Sequence, residues 1–103
     1  MTAETDPSYA LGHWYGLPRT TARVLALLYQ RGQDAWTGRD DIGRVMVHPT
    51  PGGVCQHVSV LRQVLEAEAI DFAPGQGYRL TEGGVAECRA ALRKLAGELL
   101  QAA

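Results

Sequence analysis

Cysteine and long apolar stretches are both scarce in this 103-residue chain. Its two cysteines, Cys55 and Cys88, are too few for a disulfide framework, so we expect reduced thiols. No apolar run approaches the roughly 18 residues that a membrane-spanning helix requires. The first seven residues are polar and acidic, unlike the basic and apolar regions of a signal peptide. We therefore expect a cytoplasmic protein that has no membrane partner.

An excess of charge of one sign is also missing. Ten basic residues stand against eleven acidic ones, which gives a net charge of −1 and a pI of about 6.3. A domain that binds nucleic acid through charge alone is usually strongly basic, so tight nonspecific binding is not expected. A local basic face remains compatible with this balance. The length and the hydrophobic content of 46% fit one ordinary globular domain.

A catalytic or metal-binding motif is a further absence. The chain has three histidines, at His13, His48 and His57. None has a serine or cysteine partner at the spacing of a known catalytic motif. Cys55 and His57 are two residues apart, and helix residues at that spacing point in different directions. Asp40 and Asp41 likewise diverge by about 100° and do not converge on one substrate atom. We predict no enzyme activity, no metal and no cofactor.

Apolar periodicity and turn residues divide the chain into short elements, mostly helical, of an α+β domain. Residues 1–16 are expected to form a flexible arm, with the alternative that Trp14 and Tyr15 fold back onto the core. A helix is predicted over residues 18–31, and Trp36 follows in a short extended stretch. The later helices are predicted over 38–47, 51–69 and 82–101, and a hairpin with strands at 70–72 and 78–80.

Capping residues mark the starts of three of these helices. Thr37 and Asp40 have the spacing of a capping box before the second helix. Thr50 precedes a proline and suits the N-cap of the third helix. Thr81 is expected to cap the fourth helix, whose first turn is weakened by two glycines.

The third predicted helix has the clearest periodicity in the chain. Its apolar residues recur along one helical face and indicate a stripe against the core: Val54, Val58, Leu61 and Leu65. At 100° per residue, the opposite side carries Gln56, Ser59, Val60 and Gln63. Arg62 lies on the flank between the two sides. In the hairpin, alternation along the second strand predicts that Tyr78 and Leu80 are buried and that Arg79 is exposed.

The order of helix, strand, helix, turn, helix and hairpin is typical of a winged helix-turn-helix domain, here over residues 17–81. Residues 58–65, 70–72 and 75–80 resemble the effector domains of OmpR-like response regulators. In those domains a V-x-x-L-R-x-x-L helix leads into a wing that ends G-x-G-Y-R-L. The L-T-x-x-G run from Leu80, followed by a helix, resembles the ending of MarR- and PadR-like regulators.

The resemblance implies sequence-specific DNA binding and transcriptional control, with the third helix in the major groove and the wing on the DNA backbone. It implies that Arg62 and Arg79 face the DNA and that the turn at 47–52 can contact RNA polymerase. In the MarR- and PadR-like regulators the terminal helix, here residues 82–103, forms a dimer.

Residue chemistry extends the predicted DNA site. Gln56 and Gln63 can each bond an adenine edge, and Val60 can meet a thymine methyl group. Thr50 and the two arginines can hold phosphates. The predicted site comprises Thr50, Gln56, Ser59, Val60, Arg62, Gln63, Gln76 and Arg79, with a basic rim of Arg19, Arg39 and Arg44. The alternative is a winged helix that binds a protein, in which Val60 anchors the contact, and the acidic pI favours this alternative.

The fourth predicted helix carries an apolar seam. Its residues are spaced 3, 4, 3 and 4 apart, as in two heptads of a coiled coil: Val85, Cys88, Leu92, Leu95 and Leu99. This pattern predicts a homodimer through the seam. A helix that packs on its own domain shows much the same stripe, so that alternative stays open.

Overall fold

The computed structural model describes residues 7–46, 52–66 and 68–102, the last four of these by backbone alone. The elements, in chain order, are α1 (Ser8–Tyr15), α2 (Arg19–Arg31), α3 (Arg39–Gly43), α4 (Gly53–Val64), β1 (Ile70–Ala73), β2 (Gly77–Leu80) and α5 (Glu82–Ala102). The described part of the chain is therefore α+β and mostly helical, with one antiparallel hairpin, which confirms the predicted class at this coarse level. No helix among these residues is both long enough and apolar enough to cross a membrane.

Helix α1 corrects the prediction of a flexible arm at residues 1–16 as far as the described residues reach, from Pro7 onward. Its Leu11 is 0% exposed, and the helix packs against α2 and α5. Burial of one leucine side chain contributes roughly 1.5–3 kcal/mol, which favours docking over a loose arm. Close packing is possible because Gly12 faces Ala22 on α2, where a Cβ on Gly12 would lie 2.9 Å from the alanine Cβ. The first six residues lie outside the described part.

Helices α1 and α5 are joined by a hydrogen bond as well as by apolar contacts in the core. The Tyr15 hydroxyl donates to one carboxylate oxygen of Glu87 (2.9 Å), and the backbone N–H of Glu66 donates to the other (2.8 Å). Burial and the bond to Glu87 raise the pKa of Tyr15. Tyr15 packs against the core, as the alternative reading of the N-terminal aromatics predicted.

Helix α2 is the centre of the domain, as its nearly continuous apolar run predicts. Val24, Leu25 and Leu28 are fully buried, and the helix contacts α1, α4 and β2. Gly32 ends it with a positive φ of 78°, which confirms the predicted C-terminal boundary.

The segment before α3 pairs with the hairpin. Thr37 and Tyr78 exchange two backbone hydrogen bonds, of 2.7 and 2.9 Å, so the predicted extended stretch is an antiparallel bridge to β2. The predicted capping box is wrong: Gly38 is the N-cap residue of α3 and makes no side-chain cap bond. The Thr37 hydroxyl instead is buried and has no hydrogen-bond partner among the described atoms, because the bridge turns its side chain inward.

Helices α3 and α4 are both shorter than their predicted spans. Leu65 leaves α4 in an extended conformation yet stays buried, and Glu68 takes a positive φ of 65° as the chain turns back into β1. The predicted apolar stripe of α4 is confirmed, since Val54, Val58 and Leu61 all lie in the core. The turn at 47–51, including Thr50, lies outside the described residues.

Helix α5 begins as predicted and then packs on its own domain. The Thr81 hydroxyl accepts the Gly84 N–H (3.1 Å) and donates to the Glu68 carbonyl (2.9 Å). Gly84 is needed because any Cβ there would overlap the carbonyl oxygen of Ala69. Gly84, one of the two glycines that weaken the first turn, thus allows the helix to meet the base of the hairpin.

The predicted dimer seam is partly wrong. Val85 and Cys88 are buried in the core of the same chain, so neither is available to a partner. The reason is that α5 lies against α1 and β2. Leu92 and Leu95 are half-buried and remain candidates, whereas the side chain of Leu99 lies outside the described residues.

The bridge between Thr37 and β2 gives a stability prediction at two glycines. Both Gly75 (φ 79°) and Gly77 (φ 111°) have positive φ, but only at Gly77 would a Cβ overlap the backbone of Thr37. We expect Gly77→Ala to lower the free energy of unfolding by about 3 kcal/mol, and the matched Gly75→Ala by about 1 kcal/mol. Urea unfolding followed by circular dichroism measures both. Equal losses of stability in the two variants would show that the close approach of Gly77 to Thr37 contributes nothing.

The burial of Cys88 gives a prediction of thiol reactivity. Burial raises the pKa of the Cys88 thiol to about 12, so it is neutral and shielded, whereas Cys55 is exposed on α4. Titration of the native protein with a coloured disulfide reagent should modify Cys55 alone, and Cys88 should react only after unfolding. Cys55→Ser should abolish the fast reaction. Rapid modification of Cys88 in that variant would contradict its place in the core.

Candidate nucleic-acid interface

The outer face of α4 is polar and uncovered in the described structure. Gln56, Ser59 and Gln63 are exposed, as predicted, and Val60 is half-buried. The helix is held in place from behind by its buried valines and Leu61, so these side chains project from a rigid support. The amides and the hydroxyl can donate and accept hydrogen bonds, which suits the recognition of base edges.

Arg62 lies between α4 and the hairpin. Its guanidinium donates to the carbonyl oxygen of Ile70 at the start of β1, at 3.5 Å, and the side chain is otherwise exposed. It forms no ion pair with a described residue. The structure therefore places a cation, tethered by one weak bond, at the junction of the two elements that the sequence predicts to contact DNA.

A tyrosine and a cysteine that the predicted site does not contain lie at the same junction. The Tyr78 ring is buried, and its hydroxyl is 3.8 Å from the Cys55 sulfur on α4. Burial and the bond to Cys55 raise the pKa of Tyr78, while the charges of Arg62 and Arg39 act in the opposite direction. Arg39 and Arg62 are thus close enough to act on one hydroxyl. Strand alternation in the sequence predicted that Tyr78 points inward. No pattern in the sequence indicated that its hydroxyl lies next to Cys55.

The Arg79 side chain is less exposed than the strand alternation predicts. Tyr78 and Leu80 are buried as expected, but the Arg79 side chain is only 34% exposed. Its guanidinium carbon lies 4.2 Å from the centre of the Trp36 ring, and a nitrogen lies 3.6 Å from a carboxylate oxygen of Asp71. Asp71 is its cross-strand partner in the hairpin register. The expected free cation is therefore stacked and paired, because the Thr37 bridge brings Trp36 beside it.

The predicted basic rim is also partly neutralised and divided between faces. Asp41 pairs with Arg44 at 2.9 Å and with Arg31 at 3.6 Å. Arg39 is exposed and has no ion pair within the described ranges. Arg19 lies at a groove between α1 and α2 and not beside the hairpin. Among the described residues, few cations near α4 are thus left without an ion pair.

A cleft of about 630 Å³ separates the hairpin from α3. Gln76 and Phe72 line it from the hairpin side and Arg39 from the other. Phe72 is 52% exposed, although its ring packs on that of Tyr78 with centroids 5.0 Å apart. Gln76, a member of the predicted DNA site, is exposed at the hairpin tip. The cleft presents an aromatic face together with polar and charged groups.

The described residues offer no cluster of His, Cys, Asp or Glu that could hold a metal ion. His57, on the flank of α4, lies 2.8 Å through its Nδ1 from the hydroxyl of Thr21, which is buried on α2. This contact joins α4 to the central helix, so the histidine has a structural partner.

Comparisons with known proteins find no family, no curated protein and no solved structure that matches this chain.

Proposed function

We propose that this protein is a sequence-specific DNA-binding regulator whose helix α4 enters the major groove. The observation that carries the proposal is the exposed polar face of α4, with Gln56, Ser59 and Gln63 held on a buried apolar stripe and flanked by the hairpin. A helix with one face in a core and an uncovered face of amides is suited to reading base edges.

The arrangement of the elements supports a winged helix as the fold behind this function. Helix α2, the Thr37 bridge, α3, α4 and the β1–β2 hairpin follow in the order of that fold. In this reading the hairpin is the wing and contacts the DNA backbone. Leu92 and Leu95 are the seam residues left to join two copies, and the turn at 47–52 stays the predicted contact with RNA polymerase.

The charge distribution bears on how tightly DNA would bind. Arg39 and Arg62 have no ion pair among the described residues, whereas Arg44 and Arg79 are each paired with an aspartate. Each phosphate contact contributes a slope of about −0.9 to the dependence of log K on log salt. We therefore propose weak phosphate binding, with most of the discrimination supplied by base contacts of α4.

A protein-binding domain is the second candidate. The exposed Phe72 in the cleft beside α3 favours it, because aromatic residues are enriched at protein interfaces. The net charge of −1 also suits a partner other than DNA. The two candidates differ in a simple respect: only the first requires binding to duplex DNA at low salt.

The glutamines and Arg62 give a direct test on duplex DNA. A binding sequence would be selected from a random duplex library, and affinity measured by fluorescence anisotropy across a salt series. Gln56→Ala and Gln63→Ala should each cost about 1–3 kcal/mol at one base pair. Arg62→Ala should weaken binding to all sequences and reduce the salt slope by about one.

Matched substitutions control for unspecific effects in this test. Gln33→Ala, in the exposed loop after α2, and Arg89→Ala, exposed on α5, should leave affinity and specificity unchanged. Absence of duplex binding by the wild type at low salt would refute the DNA proposal and favour the protein partner. Binding that is insensitive to both glutamine changes would show that another face contacts the DNA.

The Arg79–Asp71 pair gives a second test, in which the substitution is expected to raise DNA affinity instead of lowering it. If the hairpin contacts the DNA backbone, Asp71→Asn removes a negative charge there and releases Arg79. We expect DNA affinity at low salt to rise about two- to fivefold. Asp34→Asn, in the exposed loop after α2, is the matched control and should have little effect. An equal gain from both variants would mean that only net charge matters and that the hairpin makes no local contact.

A further inference from the structure

One stretch of this nearly neutral chain carries basic residues and lacks acidic ones. Residues 7–33, which include α1 and α2, contain no aspartate or glutamate and three arginines. Arg31 pairs with Asp41, but Arg19 and Arg23 are exposed and form no ion pair within the described ranges. These two arginines are four residues apart on α2, so their Cβ atoms lie about 5–6 Å from each other on one face.

Arg19 borders a groove between α1 and α2. The groove encloses about 540 Å³, with Gly12 and Ala22 among its lining residues and with Tyr9, His13 and Arg19 around them. A smaller depression that includes Arg23 adjoins it, since Ser8 lines both. The small residues are those that let the helices approach closely, and Tyr9 is 88% exposed. The surface thus combines an exposed aromatic ring with arginines that have no ion pair among the described residues, above a floor where Gly12 meets the buried Ala22.

This surface faces away from the proposed DNA-binding helix. Thr21 on α2 points to α4, where it meets His57. Arg23 is two residues further along, which on a helix is a rotation of about 200°. A duplex held on the outer face of α4 would therefore leave the groove accessible. The two surfaces can be occupied independently.

We propose that the α1–α2 groove is a docking site for an acidic peptide segment of a partner protein. Charge complementarity favours this occupant, because Arg19 and Arg23 can each pair with a carboxylate. The groove is too small to admit a nucleic-acid duplex, but it has room for small apolar side chains of a peptide. Tyr9 supplies the exposed aromatic contact that protein interfaces favour. This inference does not depend on DNA binding by α4.

Fluorescence anisotropy with a labelled peptide of alternating glutamate and alanine tests the proposal. The wild type should bind it at low salt, and the double change Arg19→Gln with Arg23→Gln should raise the Kd about tenfold. The matched control is Arg89→Gln with Arg93→Gln, an exposed pair at the same spacing on α5, which should change the Kd less than twofold. Circular dichroism checks that both variants are folded.

Amide chemical shifts locate the contact without any substitution. Addition of the peptide to 15N-labelled protein should shift the signals of Gly12 and Ala22 and leave those of Gln56 and Gln63 in place. Equal losses of affinity in the two double variants would overturn the proposal, as would failure of the wild type to bind. Duplex DNA binding or self-association that requires Arg19 and Arg23 would equally overturn it, since the groove would then have another occupant.

Discussion

The pairing of Thr37 with Tyr78 joins three parts of the molecule that are distant in the chain. Its two backbone hydrogen bonds attach the segment after α2 to the second strand of the hairpin. Gly77 makes this possible, because its positive φ and missing side chain let the backbone of Thr37 come close. The same pairing brings Trp36 beside Arg79 and fixes Tyr78 beneath α4. The relative positions of hairpin, α3 and α4 therefore depend on it.

This constraint determines which charges the candidate interface can offer. Once Trp36 stacks on Arg79 and Asp71 lies across the strand pair, the hairpin arginine is held in one place and its charge is partly offset. The charge of Arg62 is not offset by a carboxylate among the described residues, because its contact is a backbone carbonyl. An interface of this kind has few free cations, so its selectivity has to come from hydrogen bonds on the outer face of α4.

The central helix α2 separates the two proposed surfaces. It contacts α4 through Thr21 and the core, while Arg19 lies on the opposite side at the groove with α1 and Arg23 at the depression beside it. Glu87 holds α1 and the segment just after α4 to α5 through two hydrogen bonds. The domain can thus present a polar helix face on one side and a basic groove on the other without a shared side chain.

The sequence by itself predicted the features that depend on neighbours in the chain. The apolar stripe of α4, the hairpin with Tyr78 and Leu80 inward, the extent of α2 and the Thr81 cap all follow from periodicity or local hydrogen bonding. An amphipathic pattern indicates which side of a helix is buried. It does not indicate whether the same chain or a partner chain covers that side. For that reason the sequence left open whether Val85 and Cys88 meet a partner chain or their own core.

Only the tertiary structure decided the features that depend on distant partners. Leu11 is buried because α2 and α5 provide a surface for α1, which no pattern within residues 1–16 could indicate. Thr37 pairs with a strand some forty residues away instead of capping the helix next to it. The position of the Arg79 guanidinium was likewise decided by Trp36 across the bridge. In each case a contact between remote segments outweighed the local preference, because burial and backbone pairing contribute more than one cap or one exposed charge.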